Sequence, residues 1–235
     1  MNWEANIFQN HSNSSFEKLS LEIFQFQAKN NDIYKAYLRC LGVIPDEVKQ
    51  INQIPYLPIE FFKQENVMCK PNNIDTVFTS SGTAGIQSKH IVHDISIYEK
   101  SFTSGFEYSY GNIKDYTVLA LLPSYIERSG SSLIYMCEKL IKHSGKKESG
   151  FYLKDHKELK DLLLELECQN QKTLLIGVSF ALIDFVEKHP VGLKNTIVME
   201  TGGMKGRREE MVREELHHIL SKRLNVSKIH SEYGM

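Results

Sequence analysis

The chain has 235 residues, 41 % of them hydrophobic and 24 % charged, with 28 Lys and Arg against 29 Asp and Glu. These are the proportions of a globular protein long enough to bury its own core, either as one large α/β domain or as a main domain with a smaller N-terminal piece. A net charge of −1 excludes a strongly basic nucleic-acid binder and an acidic tail.

In chain order, helical spacing comes first: Phe16, Leu19, Ile23 and Phe26, then Ile33, Tyr34, Tyr37, Leu38 and Leu41. Ser14 and Ser15 before the first run and Asp32 before the second are the expected N-caps, and Gly42 the stop. Pro45, Pro55 and Pro58 then predict an extended, aromatic-rich connector into Phe61-Phe62-Lys63. Residues 1–70 thus read as a helical segment with a proline-rich connector.

Residues 71–235 read as an α/β core. Strands are expected at Thr76–Thr79, Thr117–Leu122, Thr173–Val178 and Thr196–Met199, and the middle two are apolar enough to be buried on both faces. Amphipathic helices are expected at Ser131–Lys142, His156–Cys168, Ser179–Lys188 and Arg207–Leu224. The alternation predicts a mostly parallel sheet with helices on both faces.

Cys40, Cys69, Cys137 and Cys168 form neither a C-x-x-C pair nor a zinc spacing, so each reads as a small buried hydrophobe in a reducing compartment. No basic stretch followed by an apolar run opens the chain, and no apolar run nears the roughly 20 residues of a membrane span. A soluble, cytoplasmic protein is expected.

Ligands of such a sheet bind beyond the carboxyl ends of the strands, and three junctions carry the residues for it. After Phe78 comes Thr79-Ser80-Ser81-Gly82-Thr83-Ala84-Gly85-Ile86-Gln87-Ser88-Lys89. Small residues, hydroxyl donors and a nearby lysine suit phosphate oxygens, and they equally suit an ordinary Ser/Thr/Gly turn. The spacing is neither a Walker loop nor G-x-G-x-x-G, which excludes a Rossmann-type oxidoreductase fingerprint. After Met199 comes Glu200-Thr201-Gly202-Gly203-Met204-Lys205-Gly206, where paired glycines admit a flat ligand or simply supply positive φ. Last comes Ser231-Glu232-Tyr233-Gly234-Met235, with a tyrosine able to stack on a base.

Together and in this order, the three junctions resemble the phosphate loop, the Gly-Gly adenine turn and the Y-G-x-T-E segment of the adenylate-forming superfamily. A finer resemblance rests on Leu122-Pro123-Ser124-Tyr125-Ile126-Glu127-Arg128-Ser129-Gly130, Ile54-Pro55-Tyr56-Leu57-Pro58 and Gly202-Gly203-Met204-Lys205-Gly206-Arg207-Arg208. These are similar to the LuxE-type acyl-protein synthetases of bacterial fatty-acid reductase systems. That resemblance implies ATP-dependent activation of a fatty acid to acyl-adenylate, followed by transfer to a thiol on a reductase or carrier partner. It implies that Ser80, Ser81, Gly82, Thr83, Gly85 and Lys89 hold phosphates with Mg2+ assisting. Gly202, Gly203, Met204, Glu232, Tyr233 and Gly234 would border AMP, and Pro123, Ser124 and Tyr125 the acyl pocket. No catalytic residue and no metal ligand is assigned.

Departures are also present. Ala84 replaces a hydroxyl of the phosphate loop, Gln87-Ser88 intervene before Lys89, and Tyr125-Ile126 stand where many relatives have an aromatic-His pair. His90 and His93 read as solvated or packing residues, and His217-His218, adjacent on a helix, as a poor metal pair. The metal-serving glutamate and the C-terminal subdomain of the family would follow Met235. The resemblance therefore implies an N-terminal fragment of a longer synthetase, or a truncated gene product, poorly active by itself. The alternatives are an acyl-CoA ligase like the phenylacetate–CoA ligases, or a degenerate module that binds acyl groups or a partner without catalysis.

Overall fold

Capping side chains set the first helices. The computed structural model describes residues 6–9, 12–69, 73–80, 87–122, 130–152, 155–204 and 206–233, and the chain divides into two compact units, Met1–Ser101 and Phe102–Met235. In the first unit, α1 (Asn13–Asn30) begins where Ser12 Oγ accepts from the Ser15 amide. Helix α2 (Asp32–Cys40) begins where the Asn31 side chain accepts from the Tyr34 amide. Both caps precede the expected Ser14–Ser15 and Asp32, because the capping oxygen must reach an amide two or three residues on. Asp32 instead puts its charge in the first turn, where the helix dipole favours it. Helix α2 closes at Gly42 with the paired bonds Gly42 N to Arg39 O and Val43 N to Leu38 O.

Single 3-10 turns at Pro45–Glu47 and Ile51–Gln53 and the short α3 (Phe61–Gln64) follow. Two bonds fasten the proline-rich connector to the helices: Tyr34 Oη donates to the Pro55 carbonyl at 2.6 Å and Gln25 Nε2 to the Pro45 carbonyl at 2.7 Å. Desolvation, with the neighbouring Tyr37 and Tyr56, pushes the Tyr34 hydroxyl up to about 12. Phe24, Ala28, Tyr34, Leu38 and Val48 form the buried core here.

Strands β1 (Thr76–Thr79) and β2 (Lys89–Val92) pair antiparallel, Thr79 opposite Lys89. Thr76–Thr79 therefore belongs to a two-stranded sheet with β2 and not to the parallel one. The connection between these strands is shorter than the dozen or so residues that a parallel crossover needs. Helix α4 (Ile95–Tyr110) comes next, and the division between the units falls within it. Its apolar residues are interleaved with Tyr98, Thr103, Ser104 and Gly105, which blurs the 3.6-residue period, and no helix is expected there from sequence.

The second unit runs β3 (Thr117–Leu121), α5 (Ser132–Ser144), β4 (Gly150–Phe151), α6 (His156–Cys168), β5 (Thr173–Val178), α7 (Ser179–Lys188), β6 (Thr196–Thr201), α8 (Arg213–Leu224) and β7 (His230–Glu232). All five strands are parallel, in the order β4-β3-β5-β6-β7. Every residue of β3 and β5 is buried. Successive strand residues point to opposite faces, so both faces of the sheet are covered, and the α/β fold is the expected one.

Two local contacts fix the sheet's geometry. A Cβ on Gly177 would lie 2.9 Å from Leu182 Cγ and 3.2 Å from the Leu121 carbonyl, so glycine lets β5 approach both α7 and β3. The Glu167 carboxylate, near the end of α6, accepts from the Lys194 and Asn195 amides and from Thr196 Oγ1, which sets the entry of β6.

Helix α8 starts at Arg213, not Arg207. The preceding turn is held differently: the Arg207 guanidinium lies over the Phe180 ring at 4.9 Å, and Arg208 forks onto Asp184 and Glu187 of α7. This pairing raises the Arg208 pKa and lowers that of Glu187. Val212, just before the helix, is exposed. Of the four cysteines, Cys137 alone is buried; Cys40 and Cys168 are the last residues of α2 and α6 and are exposed. The expectation of buried thiols fails where a helix's apolar stripe has run out. Among the described residues no helix is long and apolar enough to cross a membrane.

Candidate functional site

The connection from β3 leads to β4 and that from β5 to β6, on opposite sides, so the order of the parallel sheet reverses between β3 and β5. That reversal opens a crevice at the strands' carboxyl ends. Pro123, Ser124 and Tyr125, which follow β3, lie outside the described residues. Ser179 follows β5, and next along the same edge come the ends of β6 and β7, where Glu200 pairs in register with Ser231 and Thr201 with Glu232.

Because side chains alternate, these pairs fall on opposite faces. On one face the Glu200 carboxyl, 8 % exposed, accepts from Ser231 Oγ at 2.6 Å and from Ser179 Oγ at 3.1 Å, with His217 Nε2 at 3.4 Å. On the other, Thr201 Oγ1 donates to Glu232 Oε2 at 2.6 Å. His230 bonds Tyr110 Oη at 2.8 Å, and desolvation, helped by Lys228, lowers its pKa.

Gly202 and Gly203 follow with φ of 68° and 58° and are exposed, so the turn demands glycine and offers bare backbone outward. Met204 turns inward and is 2 % exposed. Tyr233, directly after β7, is 84 % exposed. The edge thus brings together Gly202, Gly203, Glu232 and Tyr233, with Gly234 outside the described residues.

In the first unit, the hairpin carries the other predicted loop. Ser81, Gly82, Thr83 and Gly85 lie outside the described residues, and its base is in view. The Ser80 amide donates to the Ser88 carbonyl at 3.0 Å, and Ser80 Oγ accepts from the Ser88 amide at 2.9 Å. A hydroxyl that accepts in this way keeps its own proton to donate. Lys89, the first residue of β2, is exposed.

The same unit contains an apolar cleft of about 1060 Å³, at the upper end of what takes a drug-sized ligand. Its walls include Phe16, Ile23 and Phe26 of α1, Tyr56 and Leu57 of the connector, Ile91 of β2 and Ile97 of α4. Its polar groups are few. Cys69 Sγ and Asn31 Nδ2 both donate to Gln27 Oε1, each at 3.3 Å. Burial pushes the Cys69 thiol up, which keeps it protonated and poorly nucleophilic. His90 stacks on Phe62, and burial lowers its pKa. His93 Nδ1 lies 2.7 Å from the Asn73 carbonyl, which can only accept, so Nδ1 carries the proton. Among the described residues, the buried His93 Nε2 has no hydrogen-bond partner.

The family described as acyl-protein synthetase, LuxE, matches residues 6–123, half of the chain. The chain belongs to the LuxE acyl-protein synthetase family. A long-chain-fatty-acid–luciferin-component ligase of Vibrio harveyi is 36 % identical over 66 residues, 28 % of this chain and 17 % of that protein. A ligase of the same description from Photorhabdus luminescens is 34 % identical over 74 residues, 31 % of this chain and 63 % of that protein. The chain thus aligns with less than two thirds of the length of either relative. The LuxE match contains the whole hairpin and every described residue of the cleft wall.

Neither the cleft nor the Glu200 cluster is among the residues predicted from sequence. Glu200 had a signal: a carboxyl inside the apolar run Thr196–Thr201 of a buried strand needs partners. The cleft had a weaker one, the Phe16–Ile23–Phe26 spacing, which predicts an apolar face without saying what covers it.

Proposed function

We propose that this chain forms part of an ATP-dependent acyl-protein synthetase of the adenylate-forming type. It activates a long-chain fatty acid and passes the acyl group to a protein thiol in the cytoplasm. Membership in the LuxE family carries this reading, and the names of the two ligases support the substrate class.

The residues in view are compatible with a nucleotide. When bound, ATP supplies the adenylyl group that converts a carboxylate into an acyl-adenylate with release of pyrophosphate, and Mg2+ neutralises phosphate charge. Such chemistry needs alignment and charge neutralisation rather than a strong base. In this reading Ser80, with its proton free to donate, contacts phosphate oxygens together with Ser81, Gly82, Thr83 and Gly85, and Lys89 adds positive charge. Gly202 and Gly203 present backbone to the adenine, bordered by Gly234, with Met204 packed inward beneath the turn. Tyr233 stacks on it, since its ring is open to solvent. Glu232, with one oxygen held by Thr201, borders the AMP with the rest of its side chain.

The test is ATP–pyrophosphate exchange by the native gene product over a panel of carboxylic acids. Exchange that depends on long-chain fatty acids supports the reading, and no exchange with any acid overturns it.

A further inference from the structure

Helix α1 poses a contradiction that a ligand resolves. Phe16, Ile23 and Phe26 have the spacing of a helix's core-facing stripe, yet they line the cleft, joined there by Phe24, which also packs in the core with Ala28. Phe16 remains 54 % exposed and Tyr56 74 %. An aromatic and aliphatic concavity of this volume marks a small-molecule site more than a leftover surface.

The polar groups of the wall suggest which end of a ligand goes where. Strand β2 carries Lys89 at the base of the predicted phosphate loop, and its next two residues, His90 and Ile91, are in the cleft wall. Just beyond β2, His93 holds its Nδ1 proton on the Asn73 carbonyl. With Lys89 and His90 it makes the β2 side of the cleft a polar one, where a carboxyl end is placed better than a hydrocarbon end.

We infer that the cleft of the first unit is the acyl-chain pocket, with the hydrocarbon lying against Phe16, Ile23, Phe26 and Ile97 and the carboxyl end toward β2. The inference rests on the fatty-acid reading above, and it assigns the walls of the acyl pocket to residues of the first unit instead of Pro123, Ser124 and Tyr125. Cys69 is a wall residue and not the acyl acceptor, because its thiol is protonated and donated to Gln27.

The test is equilibrium binding of saturated fatty acids of increasing length to the purified protein without ATP, by displacement of a polarity-sensitive fluorescent fatty acid. Each methylene taken into the cleft should tighten binding about fourfold until the cleft is full. Ile23→Trp, which narrows the cleft, should move that plateau to shorter acids and leave short acids bound as before. Phe16→Ser, at an exposed position, should weaken all long acids without changing stability. If both variants keep the parent's length dependence, the pocket is elsewhere, even where exchange activity persists. If binding follows the cleft but no acid supports exchange, the pocket stands and the activation reading falls.

Discussion

The two units use apolar side chains in opposite ways. In the second, β3 and β5 are buried at every position, and α7 contributes Phe180, Ala181, Leu182, Ile183, Phe185 and Val186 to one continuous core. In the first, Phe24, Ala28, Tyr34, Leu38 and Val48 form a small buried cluster among the described residues, while aromatic and aliphatic groups of comparable size border an open cleft. The same residue types thus serve stability in one unit and are available to a ligand in the other. The difference teaches that hydrophobic spacing marks a face to be covered, and that protein need not be what covers it.

One chemical change made in both units breaks or sharpens this contrast. Phe185→Ala removes a fully buried ring and should cost about 3–5 kcal/mol of unfolding free energy. Phe16→Ala should cost about 0.5 kcal/mol or less. Denaturant titration of the two variants reads the difference directly, and equal losses would mean that the cleft is ordinary core. Next in size, Glu200→Ala takes the carboxylate acceptor from the buried Ser179 hydroxyl and should destabilise by about 1–3 kcal/mol. Tyr233→Ala should leave the melting temperature unchanged and weaken ATP binding by about 1–3 kcal/mol, the range for one base–aromatic stack; calorimetric titration with ATP checks it.

The smallest effect is on pH. Burial lowers the pKa of His90 in the first unit, and of His156 and His230 in the second, from the ordinary 6.5. Above 6.5 these groups are neutral in both states and contribute no pH dependence. As pH falls below it, the unfolded chain takes up protons before the folded one, so stability declines. His90→Gln should flatten this decline in unfolding curves taken across the range; an unchanged slope would contradict the assignment.

Much of the second unit was legible in its sequence because its signals are long and local. His156–Cys168 has Asp155 as cap, its side chain accepting from the Glu158 amide, and a leucine stripe of which Leu159, Leu163 and Leu166 are buried. Thr173–Val178 is an unbroken apolar run. Strands of two or three residues have too few positions to show a period, which is why β4 and β7 did not emerge, and β2 opens on Lys89 and His90, which breaks the apolar run that marks β1. The Glu200–Ser231 contact joins residues 31 apart and depends on the register of β6 with β7, which no local pattern encodes. The glycine turn was legible as Gly202-Gly203, whereas the inward turn of Met204 follows from packing alone.

Photo-crosslinking with a long-chain fatty acid that carries a diazirine near its methyl end tests the central claim most directly, with labelled peptides mapped by mass spectrometry. Label on the α1 and α4 segments around Phe16, Ile23, Phe26 and Ile97, competed by unmodified fatty acid, is the predicted result. Competable label confined to the second unit, around Pro123, Ser124 and Tyr125, would contradict it.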